Sequence, residues 1–306
     1  MALEKVLVAG GSGFIGHHIV KECKKKGFKV VSISLKIPEK FNQQENVDYY
    51  AHDLNYPLEK NLIKSLEDVR YIINSSGYID HSQFNQKGYE IYNKHFLAVK
   101  NLIKFSKFIN LKTFINFGSS DEYGAAKSPI NETQREEPFS AYSLSKLNST
   151  HLLKILFKEE QFPSIIIRPF LVYGERQNYN RFLPQVIKSC LNNEEFKVTK
   201  GQQLRDFLYV GDFAEAVNMC LGNQNAYGEI LNIASGKPVS IKNITELVKS
   251  FIGKGKPNYG AIQYRKGENM ELYADIRKSK ELINWEPKTK FNEVLSKIVD
   301  WYVMNE

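Results

Sequence analysis

Val6-Leu7-Val8-Ala9-Gly10-Gly11-Ser12-Gly13-Phe14-Ile15-Gly16 is the stretch whose reading sets the fold of this chain. The apolar run Val6–Ala9 predicts a buried strand, and the residues from Gly13 to Lys26 predict a helix that closes on Lys24-Lys25-Lys26, where cations suit the helix dipole. Between them, Gly10 permits a tight turn and Gly13 lets backbone amides approach a pyrophosphate. Gly16 allows the helix to pack close on the sheet, and the helix N-terminus adds positive potential. A glycine triplet alone is weak evidence, but strand, glycine loop and helix in this order are the context that dinucleotide binding requires.

Outward from this stretch, the first half of the chain alternates strand and helix. Short apolar runs at Val30–Ser34, Tyr71–Asn74, Thr113–Phe117 and Ser164–Ile167 are separated by helical stretches at Tyr89–Phe108 and Tyr142–Lys158. This predicts an α/β fold of the Rossmann type, a doubly wound parallel sheet with helices on both faces. Past Gly174 the rhythm changes. A helix at Leu183–Leu191 is followed by short strands near Phe196–Thr199, Phe207–Val210 and Ile230–Ile233. Ile244, Leu247, Val248 and Phe251 recur at helical spacing and stop at Gly253, and Phe291 to Tyr302 repeat the pattern. The expected layout is a dinucleotide domain over 1–174 and a smaller α/β substrate-binding cap over 175–306, with some segments returning to the main sheet.

Composition narrows the function classes. An apolar fraction of 42% and a charged fraction of 25% over 306 residues suit a folded globule. No apolar run approaches the roughly 18 residues of a membrane span. Met1 leads directly into the first strand without a leader pattern, so a cytoplasmic protein without a membrane partner is expected. The three cysteines and six histidines lack metal-ligand spacing, so no metal site is expected. The net charge of +8 is spread over dispersed lysines, which argues against a nucleic-acid partner and suits a small anionic substrate.

The spacing Gly-x-x-Gly-x-x-Gly resembles the short-chain dehydrogenase/reductase superfamily, and at this length its extended branch, which modifies nucleotide sugars. The resemblance implies that Gly10, Gly13, Phe14 and Ile15 line a pyrophosphate and that Asp53 and Leu54 meet an adenine. Asn74-Ser75-Ser76-Gly77 stands where the family has a His-Leu-Ala-Ala type segment, with Ser75 toward the cofactor, and His95 stands where it more often has Asn. An acid ending the second strand would bond a ribose 2′-hydroxyl and repel a 2′-phosphate. This chain has Ser34 and Lys36 there, which favours NADP(H) and leaves NAD(H) open.

Tyr142 and Lys146 lie four residues apart on one face of a predicted helix. A nearby ammonium stabilises a phenolate and brings a tyrosine into working range as an acid–base. Gly118-Ser119-Ser120-Asp121-Glu122-Tyr123-Gly124 resembles the family's serine segment, which implies that Ser119 holds the substrate oxygen beside Tyr142. Arg168-Pro169-Phe170-Leu171-Val172-Tyr173-Gly174 resembles the segment closing over the nicotinamide, with Pro169 in contact and Leu171 replacing the usual Asn. Arg205 and Arg265, with Arg181 as a third, resemble the family's arginines near the nucleotide diphosphate, where a guanidinium makes bidentate contacts to phosphate. The same resemblance implies that Asp121 faces the substrate.

Three reactions share this scaffold: epimerisation, 4,6-dehydration and 4-keto reduction. Dehydration needs an acid and a base after the serine. Ser120 is no acid and Asp121 is one methylene short, which disfavours it. Ser34 and Lys36 lean toward NADPH-dependent reduction of an NDP-4-keto-deoxyhexose, and Tyr259 to Met270 resembles the 4-ketoreductase branch that makes dideoxyhexoses such as abequose. The alternative is an NAD-dependent NDP-sugar 4-epimerase. A dinucleotide-binding regulator would have no need of both Tyr142 and Lys146. A homodimer is expected.

Overall fold

The computed structural model describes residues 3–265 and 267–305. Among them the chain runs through β1 (Lys5–Ala9), α1 (Phe14–Lys25), β2 (Lys29–Ser34), β3 (Val47–Ala51), α2 (Lys60–Ser65), β4 (Val69–Asn74), α3 (Tyr89–Ser106) and β5 (Thr113–Phe117). It continues through α4 (Ala141–Glu160), β6 (Ser164–Pro169), β7 (Leu171–Tyr173), α5 (Phe182–Leu191), β8 (Glu195–Val198), β9 (Leu204–Tyr209) and α6 (Val210–Met219). The last elements are β10 (Ile230–Ile233), β11 (Pro238–Ser240), α7 (Ile241–Ile252), β12 (Lys256–Tyr259), β13 (Glu271–Leu272), α8 (Arg277–Ile283) and α9 (Phe291–Met304).

Seven strands form one parallel sheet in the order β10-β6-β5-β4-β1-β2-β3. Successive residues of a strand point to opposite faces, and here both faces are covered. Val6 and Val8 of β1 enter one core with Ile73, Ile115 and Ile165, against α1, α5, α6 and α9. Leu7 and Ala9 enter the other with Ile72, Phe114 and Ile166, against α3 and α4. That two-sided burial is why these strands read as continuous apolar runs. The strand order reverses between β1 and β4, so the crevice for a ligand opens at the carboxyl ends of those two strands.

The second half is interleaved with the first. β10 returns to the main sheet beside β6, pairing Ile230 with Ile166, and α9 buries Leu295, Ile298 and Tyr302 in the same core as β1. The rest of this half forms a smaller layer: β9 pairs with β7, β11 and β13, while β8 pairs with β12. β9 begins at Leu204, three residues before the expected Phe207, and Val210 opens α6 instead of ending the strand. The edge strand β3, Val-Asp-Tyr-Tyr-Ala, is missing from the sequence reading because an edge position buries it too little to leave an apolar run. α7 stops as expected, with Gly253 in the left-handed conformation at its C-cap.

The smaller layer is fastened by Asp206, whose residue is fully buried on β9. Its carboxylate accepts from Ser235 N (2.6 Å), Ser235 Oγ (2.5 Å), Gly236 N (2.9 Å) and Ala274 N (3.2 Å). Asp206→Ala removes the acceptor of three backbone amides and is expected to cost about 3 kcal/mol of stability, measured by urea unfolding. A loss within error of zero would mean that the layer is held by its apolar contacts alone.

Candidate active site

The glycine loop lies between β1 and α1. Gly10 has φ +81°, and a Cβ there would sit 2.9 Å from the Ser75 backbone. A Cβ on Gly16 would come within 2.1 Å of the Gly10 carbonyl oxygen, so any side chain at that position forces loop and helix apart. Gly13 is exposed and caps α1 without a side-chain hydrogen bond, leaving first-turn amides directed outward. Phe14 and Ile15 follow it, half-buried. Ser75 closes the other side of the crevice, its amide (3.0 Å) and its hydroxyl (2.7 Å) both donating to Ala9 O. This cradle, held open by absent side chains at the strand-order reversal, fits the pyrophosphate of a dinucleotide.

At the end of β2, Ser34 Oγ accepts from Ser12 N at 3.2 Å, so it ties the glycine loop to this strand. Lys36 is exposed, with no partner for its ammonium among the described residues. Asp53 is turned toward its own loop, accepting from Asn55 N (3.0 Å) and Asn55 Nδ2 (2.6 Å). Leu54 is buried, and its carbonyl accepts from Asn101 Nδ2 at 2.8 Å. Pro169 ends β6 half-buried.

Ser119 and Tyr142 are brought together by two capped helical starts. Ser119 caps the turn Ser120–Tyr123, its hydroxyl accepting from Asp121 N while Glu122 Oε1 accepts from Ser119 N at 2.8 Å. Ser140 caps α4 in the same way and sets Tyr142 in the first turn. The Ser119 side chain acts on the Tyr142 phenol, favouring its ionised form. Burial first, then the Asp121 charge, raise the Tyr142 phenol above its ordinary range, so it is protonated at neutral pH. Lys146, one turn on, has its Nζ 5.9 Å from the Tyr142 ring centre and donates to Phe117 O at 2.9 Å. Burial lowers its ammonium to about 8.

Two histidines complete the chamber, and the sequence reading found no histidine cluster. His95 is buried with its ring 5.2 Å from Tyr142, and burial followed by the Lys146 charge lowers it to about 3, so it stays neutral. His81 lies 5.9 Å from Tyr142, with Nε2 2.9 Å from Asp121 Oδ2. The departure from Asn at position 95 was the one signal for the first; nothing in the sequence pattern marks the second. Behind Ser119, Glu122 and Arg168 form a fully buried ion pair at 2.6 Å.

The three arginines are placed unequally. Arg205 is largely buried and ion-paired with Glu268. Arg265 and Arg181 are exposed, and the Arg181 charge acts on Tyr142. The structure therefore brings Ser119, Tyr142, Lys146 and Asp121 into one chamber, with Arg181 near it, while Arg205 faces Glu268.

The NAD dependent epimerase/dehydratase family matches residues 6–234. The chain belongs to that family. It is 27% identical over 95% of its length to an uncharacterized UDP-glucose epimerase of Bacillus subtilis, of which it covers 96%. It is 26% identical to the CDP-abequose synthase of Salmonella muenchen over 89% of each chain. Among solved structures, the UDP-glucuronic acid 4-epimerase of Bacillus cereus, in complex with UDP-glucuronic acid and NAD, superposes with a TM-score of 0.88 at 25% identity, over 99% of this chain and 100% of that one. The sheet is thus that of an extended short-chain dehydrogenase/reductase enzyme.

The buried Lys146 makes stability depend on pH. Its folded pKa of about 8 lies below the unfolded value of 10.5, so between these the unfolded chain binds more protons and folding gains as pH rises. Relative to Lys146→Met, the wild type is expected to gain about 2–3 kcal/mol between pH 8 and 10.5, read by chemical unfolding at each pH. A constant difference across that window would place the amine in water.

Proposed function

We propose that this chain carries out redox chemistry at C4 of a nucleotide-diphosphate sugar, and that it runs in the direction of NADPH-dependent reduction of an NDP-4-keto-deoxyhexose. The end of β2 carries the direction. Ser34 stands where an acid would hold a ribose 2′-hydroxyl, and the ammonium of Lys36 is free among the described residues to meet a 2′-phosphate. Gly10, Gly13, Phe14, Ile15 and Ser75 would hold the pyrophosphate, with Asp53 and Leu54 toward the adenine and Pro169 toward the nicotinamide. A reduced nicotinamide supplies the hydride.

The chain's own residues handle the oxygen. Negative charge gathers there as a ketone is reduced, and the hydroxyls of Ser119 and Tyr142 converge on that charge. Because burial keeps Tyr142 protonated, it begins as the donor that reduction requires. Lys146 then stabilises the phenolate left behind, and its own pKa of about 8 lets it pass a proton on near neutral pH. Arg181, Arg205 and Arg265 would take the diphosphate, with Arg205 leaving Glu268 to do so. The similarity to the abequose synthase agrees with this direction.

NAD-dependent 4-epimerisation is the second reading, favoured by the epimerases among the similar proteins. The cofactor separates the two. Under the reductase reading, 4-keto nucleotide sugars consume NADPH with falling absorbance, NADPH binds more tightly than NADH by calorimetry, and Lys36→Ala weakens NADPH alone. Co-purified NAD at full occupancy, with C4 epimers interconverting and no net cofactor use, would establish the epimerase instead.

Tyr142→Phe is expected to keep cofactor affinity and lower turnover by roughly 10²–10⁴, whereas Lys146→Ala damages both. Arg205→Ala should weaken nucleotide-sugar binding by about 1.5–3 kcal/mol. Turnover of Tyr142→Phe near the wild-type rate would remove Tyr142 from the chemistry.

A further inference from the structure

We propose that His81 and Asp121 form a second acid–base centre in this chamber, one that exchanges the hydrogen on a carbon flanking the substrate ketone. The inference rests on the C4 keto-sugar reading above, and it adds an enolising activity that requires no hydride transfer.

His81 is held as a working base is held. Its Nε2 lies 2.9 Å from Asp121 Oδ2, and its ring meets Phe139 edge-on at 5.5 Å and Tyr142 at 5.9 Å. The side chain keeps 36% exposure, so solvent protons reach it. Asp121 is itself fixed, because its amide donates to Ser119 Oγ at 3.1 Å. The imidazole, its orienting carboxylate and the Ser119 hydroxyl are therefore linked through hydrogen bonds beside Tyr142. Asp80, the residue before His81, accepts at one carboxylate oxygen from the Ser82 amide (2.8 Å) and the Ser82 hydroxyl (2.6 Å).

The chemistry balances without a redox partner. The tautomer that donates Nε2–H to Asp121 leaves a lone pair on Nδ1. Nδ1 takes the hydrogen from the flanking carbon as a proton. The C–H electron pair becomes a C=C bond, and the carbonyl π pair moves to the oxygen, where Ser119 and Tyr142 stabilise it. Returning a solvent-derived proton from His81 to the same carbon restores the ketone. Nothing is oxidised or reduced, and a hydrogen has been exchanged.

The test is deuterium uptake by an NDP-4-keto-6-deoxyhexose in D2O, followed by mass spectrometry, with the purified chain and no added NADPH or NADH. The wild type is expected to label a flanking carbon well above the buffer rate. His81→Gln and Asp121→Asn should each lower that rate about a hundredfold or more. A wild type that reduces the ketone but labels it only at the buffer rate overturns the second centre and leaves the reductase reading standing. Labelling that needs His81, from a chain that reduces no 4-keto sugar, keeps the centre and removes the reductase reading. Labelling unchanged in His81→Gln assigns the exchange to another group and overturns the proposal.

Discussion

The buried pair between Glu122 and Arg168 is the contact on which the arrangement of the chamber depends. Both side chains are fully out of water, and Arg168 reaches Glu122 Oε2 through Nε at 3.0 Å and NH2 at 2.6 Å. The same oxygen accepts from Thr150 on α4, and the other carboxylate oxygen accepts from the Ser119 amide. Four segments are thereby fixed to one carboxylate: the Ser119 turn, β6, α4 and, through the Arg168 bond to Glu136, the loop before α4. Two charges taken from water are a net gain only when nearly every lone pair and proton is used; here Nε and NH2 of Arg168 are paired, while NH1 is buried without a hydrogen-bond partner. Gly118 makes room for it, since a Cβ there would meet Glu122 Oε1 at 2.3 Å.

What this anchor fixes is a distance between hydroxyls. Ser119 and Tyr142 come from different elements, a turn after β5 and the first turn of α4. They meet because Glu122 reaches both the Ser119 backbone and Thr150 two turns along α4. Tyr123, next to Glu122, extends the network by donating to Asn232 at 2.8 Å while the Arg168 guanidinium lies 4.3 Å over its ring. Asn232 belongs to β10, so the strand returning from the second half of the chain supports the Ser119 turn from behind.

Burial then sets the electrostatics of the chamber in opposite directions. It disfavours the phenolate of Tyr142 and the ammonium of Lys146, and it keeps His95 neutral. The chamber is thus poised with few charges, and its acid–base groups respond strongly to any charge that enters. The outer rim differs. His81, Arg181 and Lys36 remain in contact with solvent, where a polar substrate and cofactor arrive, and the overall charge of +8 favours anionic ligands.

The sequence by itself determined the parallel sheet, the glycine loop and the Tyr142–Lys146 pair. Each of these is local: apolar runs with period two or 3.6, glycines at fixed spacing, two side chains one helical turn apart. Only the tertiary structure decided the rest. Glu122 and Arg168 stand 46 positions apart, and His81 lies 40 positions before Asp121 and farther still from Tyr142. No periodicity marks such partners, because the folded sheet and not the chain brings β4, β5 and β6 side by side. The Arg205 pair with Glu268 was hidden for the same reason: Arg205 read as a diphosphate contact, and only the fold places β9 beside the loop before β13.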